Sequence, residues 1–263
     1  MSSYKVCLTL FTKMWPDKSM PELAAFVKEM GIGGIELPVR PNFPVHPENV
    51  ETALPEAVRI FEGEGLKIGS VASVPAERTI AACGEAGVPI LRDGVMLEEG
   101  ANYLETITDA QRMWDTFLPV LEKNNVVLAI QNHCGPFLTH AAHLLHALEK
   151  YDPKVVGAVF DPAHQALQGE NLELALDVIL SRTVMINLKN AYWKRVNGPE
   201  APWAEWTTYW TSGRHGLASW PKLAEELKTR GYEGDLCFSA EYSDEEATDR
   251  LIREDIENAK EVF

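Results

Sequence analysis

Short apolar or β-branched runs alternate with helical patterns from one end of this chain to the other. Strands are predicted at 6–10, 34–37, 67–71, 88–91, 126–131, 155–160, 184–189 and 236–241. Helices are predicted at 23–30, 50–64, 76–86, 101–123, 139–150, 172–180 and 220–230, with a last one after Ser243. Two sequences read as capping boxes, Ser19-Met-Pro-Glu22 and Ser243-Asp-Glu-Glu246, and Gly31 and Gly231 stop the helices before them. Near-continuous apolar strands separated by helices imply a parallel sheet covered on its outer face. Eight such units in 263 residues point to the α/β class and a single closed (β/α)8 barrel spanning residues 1–263. A doubly wound open sheet is the alternative. No GxGxxG or GxxxxGK[ST] follows any strand, so no nucleotide cofactor is expected.

Charge narrows the partners. The 39 acids against 24 Lys plus Arg leave a net charge of −15, which repels nucleic acid and anionic membranes. No run of about 18 apolar residues is present. The start, MSSYKVCLTLF, reads as a first strand rather than a signal peptide, so a cytoplasmic location is expected. Cys7, Cys83, Cys134 and Cys237 form no CxxC pair and read as free thiols.

In a barrel the chemistry sits at the C-terminal ends of the strands. The polar residues there are Glu36, Gln131-Asn132-His133, Asp161 with His164, Asn187 with Lys189, and Glu241; Arg40 follows the second strand closely. An acid at one strand end is often a helix cap, but five strands ending this way suggest one convergent site. A stretch from Tyr192 to Trp210 holds four of the seven tryptophans, including Trp193. It reads either as a substrate lid or as the subunit interface of a homo-oligomer. His140, His143 and His146 lie on a predicted outer helix and read as surface histidines.

The motifs GIEL (34–37), AIQNH (129–133), FDPAH (160–164), INLKN (186–190) and GYEGDLCFSAE (231–241) resemble, over essentially the whole chain, those of the xylose isomerase-like barrels. The nearest resemblance is to the sugar phosphate isomerase/epimerase group. It implies a small carbohydrate substrate and a divalent metal held by Glu, Asp, His and Glu. The matching positions are Gln131, Asp161, Asn187 and Glu241, so two of the four depart from the pattern. Such a set favours a hard ion, Mg²⁺, Mn²⁺ or Ca²⁺, over zinc. The implied activity is an isomerase or epimerase abstracting a proton next to the carbonyl of a ketose, aldose or keto-glycoside. Glu241 is the expected base, with His164 and Lys189 as the other catalytic groups. Glu36, Arg40, His133, Trp193 and Arg214 are the expected substrate contacts. The alternatives are a lyase, either a dehydratase or a deglycosylating eliminase acting on a keto-sugar or keto-inositol, and a non-catalytic sugar-binding homologue.

Overall fold

The computed structural model describes residues 6–263, so the first five residues of the predicted N-terminal strand region lie outside it. Eight parallel strands close into a barrel: β1 (Cys7–Phe11), β2 (Gly34–Pro38), β3 (Lys67–Ala72), β4 (Ile90–Asp93), β5 (Val127–Gln131), β6 (Val156–Phe160), β7 (Thr183–Leu188) and β10 (Asp235–Phe238). Each is followed by a helix: α1 (Met20–Glu29), α2 (Val50–Gly63), α3 (Glu77–Glu85), α4 (Tyr103–Asn124), α5 (Ala141–Leu148), α6 and α7 (Pro162–Leu167, Leu172–Ile179), α8 (Trp220–Thr229) and α9 (Thr248–Val262). No helix among the described residues is long and apolar enough to cross a membrane.

The core has two layers. Phe11, Ala72, Ile90, Ala129, Val159, Met185 and Cys237 fill the barrel interior. A larger apolar shell, anchored by the fully buried Trp114, Trp220 and Phe61, packs the helices against the sheet. Cys7 and Cys237 lie on neighbouring strands, but the register sets Cys237 opposite Thr9 and Cys7 opposite Asp235. All four cysteines are free. Thiol titration of the unfolded, unreduced protein is expected to find four; two or fewer would reveal a bridge.

Three local expectations change. Residues 190–211 form an antiparallel hairpin, β8 (Asn190–Arg195) with β9 (Trp206–Thr211), not an irregular loop. Asn190 roots it from a fully buried position: its amide donates to the carbonyls of Gly213 (2.8 Å) and Ala218 (2.7 Å), and its oxygen accepts from Ala218 N–H (2.9 Å). A Cβ at Gly216 would sit 2.0 Å from that oxygen, so the close approach requires glycine. Ser243 does not cap a helix; its N–H donates to Trp210 O (3.0 Å) and its hydroxyl accepts from Trp210 N–H (2.9 Å). With Ser243 committed to the hairpin, α9 begins only at Thr248, after a 3₁₀ turn at Glu245–Ala247. The short α6 was not predicted, because six residues carry too little periodicity to be read.

Candidate functional site

The strand ends meet at the C-terminal mouth and are joined side chain to side chain. Glu36 on β2 is fully buried and accepts two parallel hydrogen bonds from Arg92 on β4, at 2.8 Å from Nε and 2.7 Å from Nη2. Ser70 on β3 adds a third at 3.2 Å. Arg92 Nη1 donates to Gln131 Oε1 on β5 (2.6 Å), and Gln131 Nε2 donates to Asp161 Oδ2 just past β6 (2.9 Å). Lys189, one residue past β7, lies 3.8 Å from Asp161 Oδ2 and donates to Glu241 Oε2 at 2.7 Å. The other Glu241 oxygen accepts from Lys13, which follows β1. All eight barrel strands contribute a member to this ring, directly or just beyond their last residue.

Local backbone aims these groups. Asp161 caps α6, its Oδ1 accepting from the N–H groups of Ala163 (3.0 Å) and His164 (3.1 Å), which turns Oδ2 toward the mouth. β10 stops at Phe238, short of its predicted end, because Ala240 adopts a left-handed conformation (φ 52°). That turn directs Glu241 back across the mouth instead of along the strand.

The electrostatics follow from burial and pairing. Burial raises the Glu241 carboxyl, but the charges and hydrogen bonds of Lys189 and Lys13 outweigh it and hold Glu241 well below the usual carboxylate range. Burial lowers the Lys189 ammonium, and Glu241 and Asp161 more than reverse this, so it stays charged. Asp161, fully enclosed, is pushed up to about 6 against the pull of Lys189. Burial and then Lys189 lower His133, and the same causes lower His164 further. Both imidazoles are therefore neutral at pH 7. The network also sets their tautomers: His133 Nδ1–H donates to Cys134 O (2.7 Å), leaving Nε2 a free base, whereas His164 Nδ1 accepts from Cys134 N–H (3.1 Å), placing its proton on Nε2. The two rings are in close contact, 3.8 Å between centroids and tilted by 37°.

Above the ring opens a cavity of about 470 Å³, lined by Phe11, Lys13, Arg40, Arg92, Asp93, Gln131, His133, Phe137, Asn187, Lys189, Ser239 and Glu241, among others. That is the size of a small-molecule site. Asp93, at the end of β4, is pushed up to about 6 by burial. Among the described residues, Asn187 Oδ1 is buried with no hydrogen-bond partner. Arg40 lies 5.6 Å from the Phe11 ring.

Several candidate residues sit elsewhere. Glu36 is beneath the cavity, with both oxygens engaged by Arg92. His164 and Asp161 are also behind the wall. Trp193 is on the outer part of the hairpin, its Nε1 donating to Leu167 O at 2.8 Å. The ring that reaches the site is Trp210, with Lys189 Nζ 4.5 Å from its centroid and His164 at its edge. Arg214 is half exposed and paired with Glu261 at 2.7 Å, away from the mouth. Arg92, Asp93 and Lys13 were missed. The same strand-end rule would have found them in PILRDG and LTLFTK, had β4 been drawn two residues further and the residue after β1 been counted.

The four-residue donor set does not fit a divalent ion as arranged. Both polar ends of Gln131, both oxygens of Asp161 and both of Glu241 already have partners, the Lys189 ammonium lies between Asp161 and Glu241, and Lys13 takes the other Glu241 oxygen. Another group, His133, Cys134 and His164, has ligand atoms within 4.8 Å of one another. There His164 spends Nδ1 on the Cys134 N–H and so presents an N–H at Nε2, His133 spends Nδ1 on the Cys134 carbonyl, and burial raises the Cys134 thiol, keeping it protonated.

Residues 24–262 match the family model described as xylose isomerase-like TIM barrel. The chain belongs to the xylose isomerase-like TIM-barrel family. Solved structures of similar fold include the apo form of 3-keto-D-glucoside 4-epimerase, YcjR, from E. coli (12% identity, TM-score 0.75, covering 98% of this chain and 100% of that one). Others are the probable 3-DHS dehydratase AsbF from Bacillus anthracis (14%, 0.71, 97% and 99%) and a sugar phosphate isomerase/epimerase from Parabacteroides distasonis (10%, 0.70, 98% and 96%). At these identities the likeness to other xylose isomerase-like barrels is one of fold. No curated protein matches the chain in sequence.

Proposed function

We propose that the chain is an enzyme that binds a polyhydroxylated carbonyl compound and removes a proton next to its carbonyl, as a sugar isomerase or epimerase. The observation that carries this is the wall of the cavity: two ammoniums, Lys13 and Lys189, held by one carboxylate, in the same cavity as a neutral imidazole with a free Nε2. Enolisation places negative charge on the carbonyl oxygen, and fixed cations stabilise that charge. His133 Nε2 takes the proton, and the C–H electron pair becomes the enediolate double bond. Returning that proton to the adjacent carbon, with proton transfer between the two oxygens, completes an aldose–ketose isomerisation. Glu241, ionised and shared by two lysines, is a weak base and serves to hold them. Asn187, Ser239 and Arg40 line the same cavity and serve substrate hydroxyls.

A second reading, elimination, is favoured by Asp93. A carboxyl of pKa about 6 can donate a proton to a departing hydroxyl, which leaves as water. The dehydratase among the structures of similar fold agrees with it. Incubating the protein in D₂O with ketohexoses, a 3-keto-glycoside and a keto-inositol tests both. Enolisation puts solvent deuterium on the carbon next to the carbonyl, and the product distinguishes isomer from dehydrated compound. Saturable binding with no exchange would leave the sugar-binding reading in its place.

The pH profile carries the same distinction. His133 must be deprotonated, and its pKa lies below the ordinary 6.5, so kcat/KM is expected to fall only on the acid side of that value. Isomerisation through His133 is then level through neutrality. Elimination needs Asp93 protonated, so its rate also declines as pH rises above about 6, giving a bell.

A further inference from the structure

We propose that the ammonium of Lys189, with that of Lys13, is the resident cation of this barrel mouth and stands where the family resemblance implies a divalent ion, so that the site works without metal. The inference shares its cavity with the enolisation reading but rests on the ion pairs alone.

The first support is placement. Lys189 Nζ lies between the two carboxylates of the implied ligand set, 2.7 Å from Glu241 and 3.8 Å from Asp161. The side chain is 5% exposed, and the Trp210 ring closes over it at 4.5 Å. The second is charge. Arg40, Arg92, Lys13 and Lys189 match Asp93, Glu36, Asp161 and Glu241 four for four, so a divalent ion added between Asp161 and Glu241 would face the two ammoniums with no excess of carboxylates in the site. The third is the two departures from the family pattern. Glutamine at 131 accepts from Arg92 on its oxygen and donates an amide hydrogen to Asp161, a double role that no carboxylate can fill. Asparagine at 187 lines the cavity with a neutral amide where an imidazole would add a metal donor. Each change suits a site whose positive charge arrives on a side chain.

Removing the ammoniums should therefore create a metal site. Mn²⁺ binding to the full chain, without substrate, can be read by electron paramagnetic resonance and by the shift in melting temperature. Wild type is expected to show no saturable binding up to about 1 mM Mn²⁺, the range of a weak site. Lys13→Met/Lys189→Met is expected to bind one Mn²⁺ with at least about 10²-fold higher affinity, because Asp161 and Glu241 then lack their ammonium partners. Adding Asp161→Asn should abolish that gain. Saturable Mn²⁺ binding by wild type that is lost in Asp161→Asn would overturn the proposal, as would a folded double variant that binds none. Should the double variant fail to fold, the wild-type measurement decides: saturable binding lost in Asp161→Asn overturns the proposal, and its absence supports it. Because no substrate enters, this result and the fate of the enolisation reading are separate.

Discussion

Arg92→Met is expected to lower stability by about 3–5 kcal/mol, the usual cost of stranding one partner of a buried ion pair. Methionine fills much of the arginine volume, so a cavity is not the main cause. What remains is Glu36, fully buried, with only the Ser70 hydroxyl at 3.2 Å to replace two charge-assisted bonds. Gln131 also loses the donor to its oxygen and is freed to turn. Each kcal/mol moves the melting midpoint of a domain near this size by roughly 2–4 °C, so the change is readable by calorimetry. Arg92→Met with Glu36→Leu should recover most of the loss, since an apolar pair replaces the ion pair without leaving a charge behind. A single variant within about 1 kcal/mol of wild type would show that the pair is solvated or dispensable.

His133→Gln is expected to cost about 10²–10⁴-fold in kcat with little change in KM on a turned-over substrate. Glutamine sets an amide near the place of Nε2 but accepts no proton at neutral pH. The imidazole is only partly buried and among the described residues hydrogen-bonds just to the adjacent Cys134 carbonyl, so the variant should fold, with a modest loss of stability from its contacts with the Phe137 and His164 rings. Deuterium exchange from solvent into the substrate should fall in step with turnover. Near wild-type exchange in this variant would remove His133 from the proton-transfer step.

Most of the barrel was legible because its signal is repetitive. Apolar runs such as VLAIQ and VGAVF are buried on both faces and read alike at each turn of the fold. The mouth was legible in part for the same reason: polar residues stand out at the ends of such runs, as Asp161 and Lys189 do. Partnership was not legible. Whether Glu36 would meet a ligand or an arginine depended on where β4 ended, and a two-residue error there hid both Arg92 and Asp93. Ser243 met every local requirement of a helix cap, and a contact with Trp210, 33 positions away in the chain, took it instead. Arg214 stood out only by residue type, in a loop whose side chain leaves the mouth for Glu261.

The hairpin joins two environments that are otherwise far apart. Its outer portion carries Trp193, Trp203 and Trp206 into solvent, with Trp203 83% exposed, while its inner end sets Trp210 over Lys189. Paired hydrogen bonds through Ser243 fasten that inner end to the segment that carries Glu241. The ribbon is therefore one continuous path of paired backbone from the tryptophan rim, past the ring over Lys189, to the segment that carries Glu241.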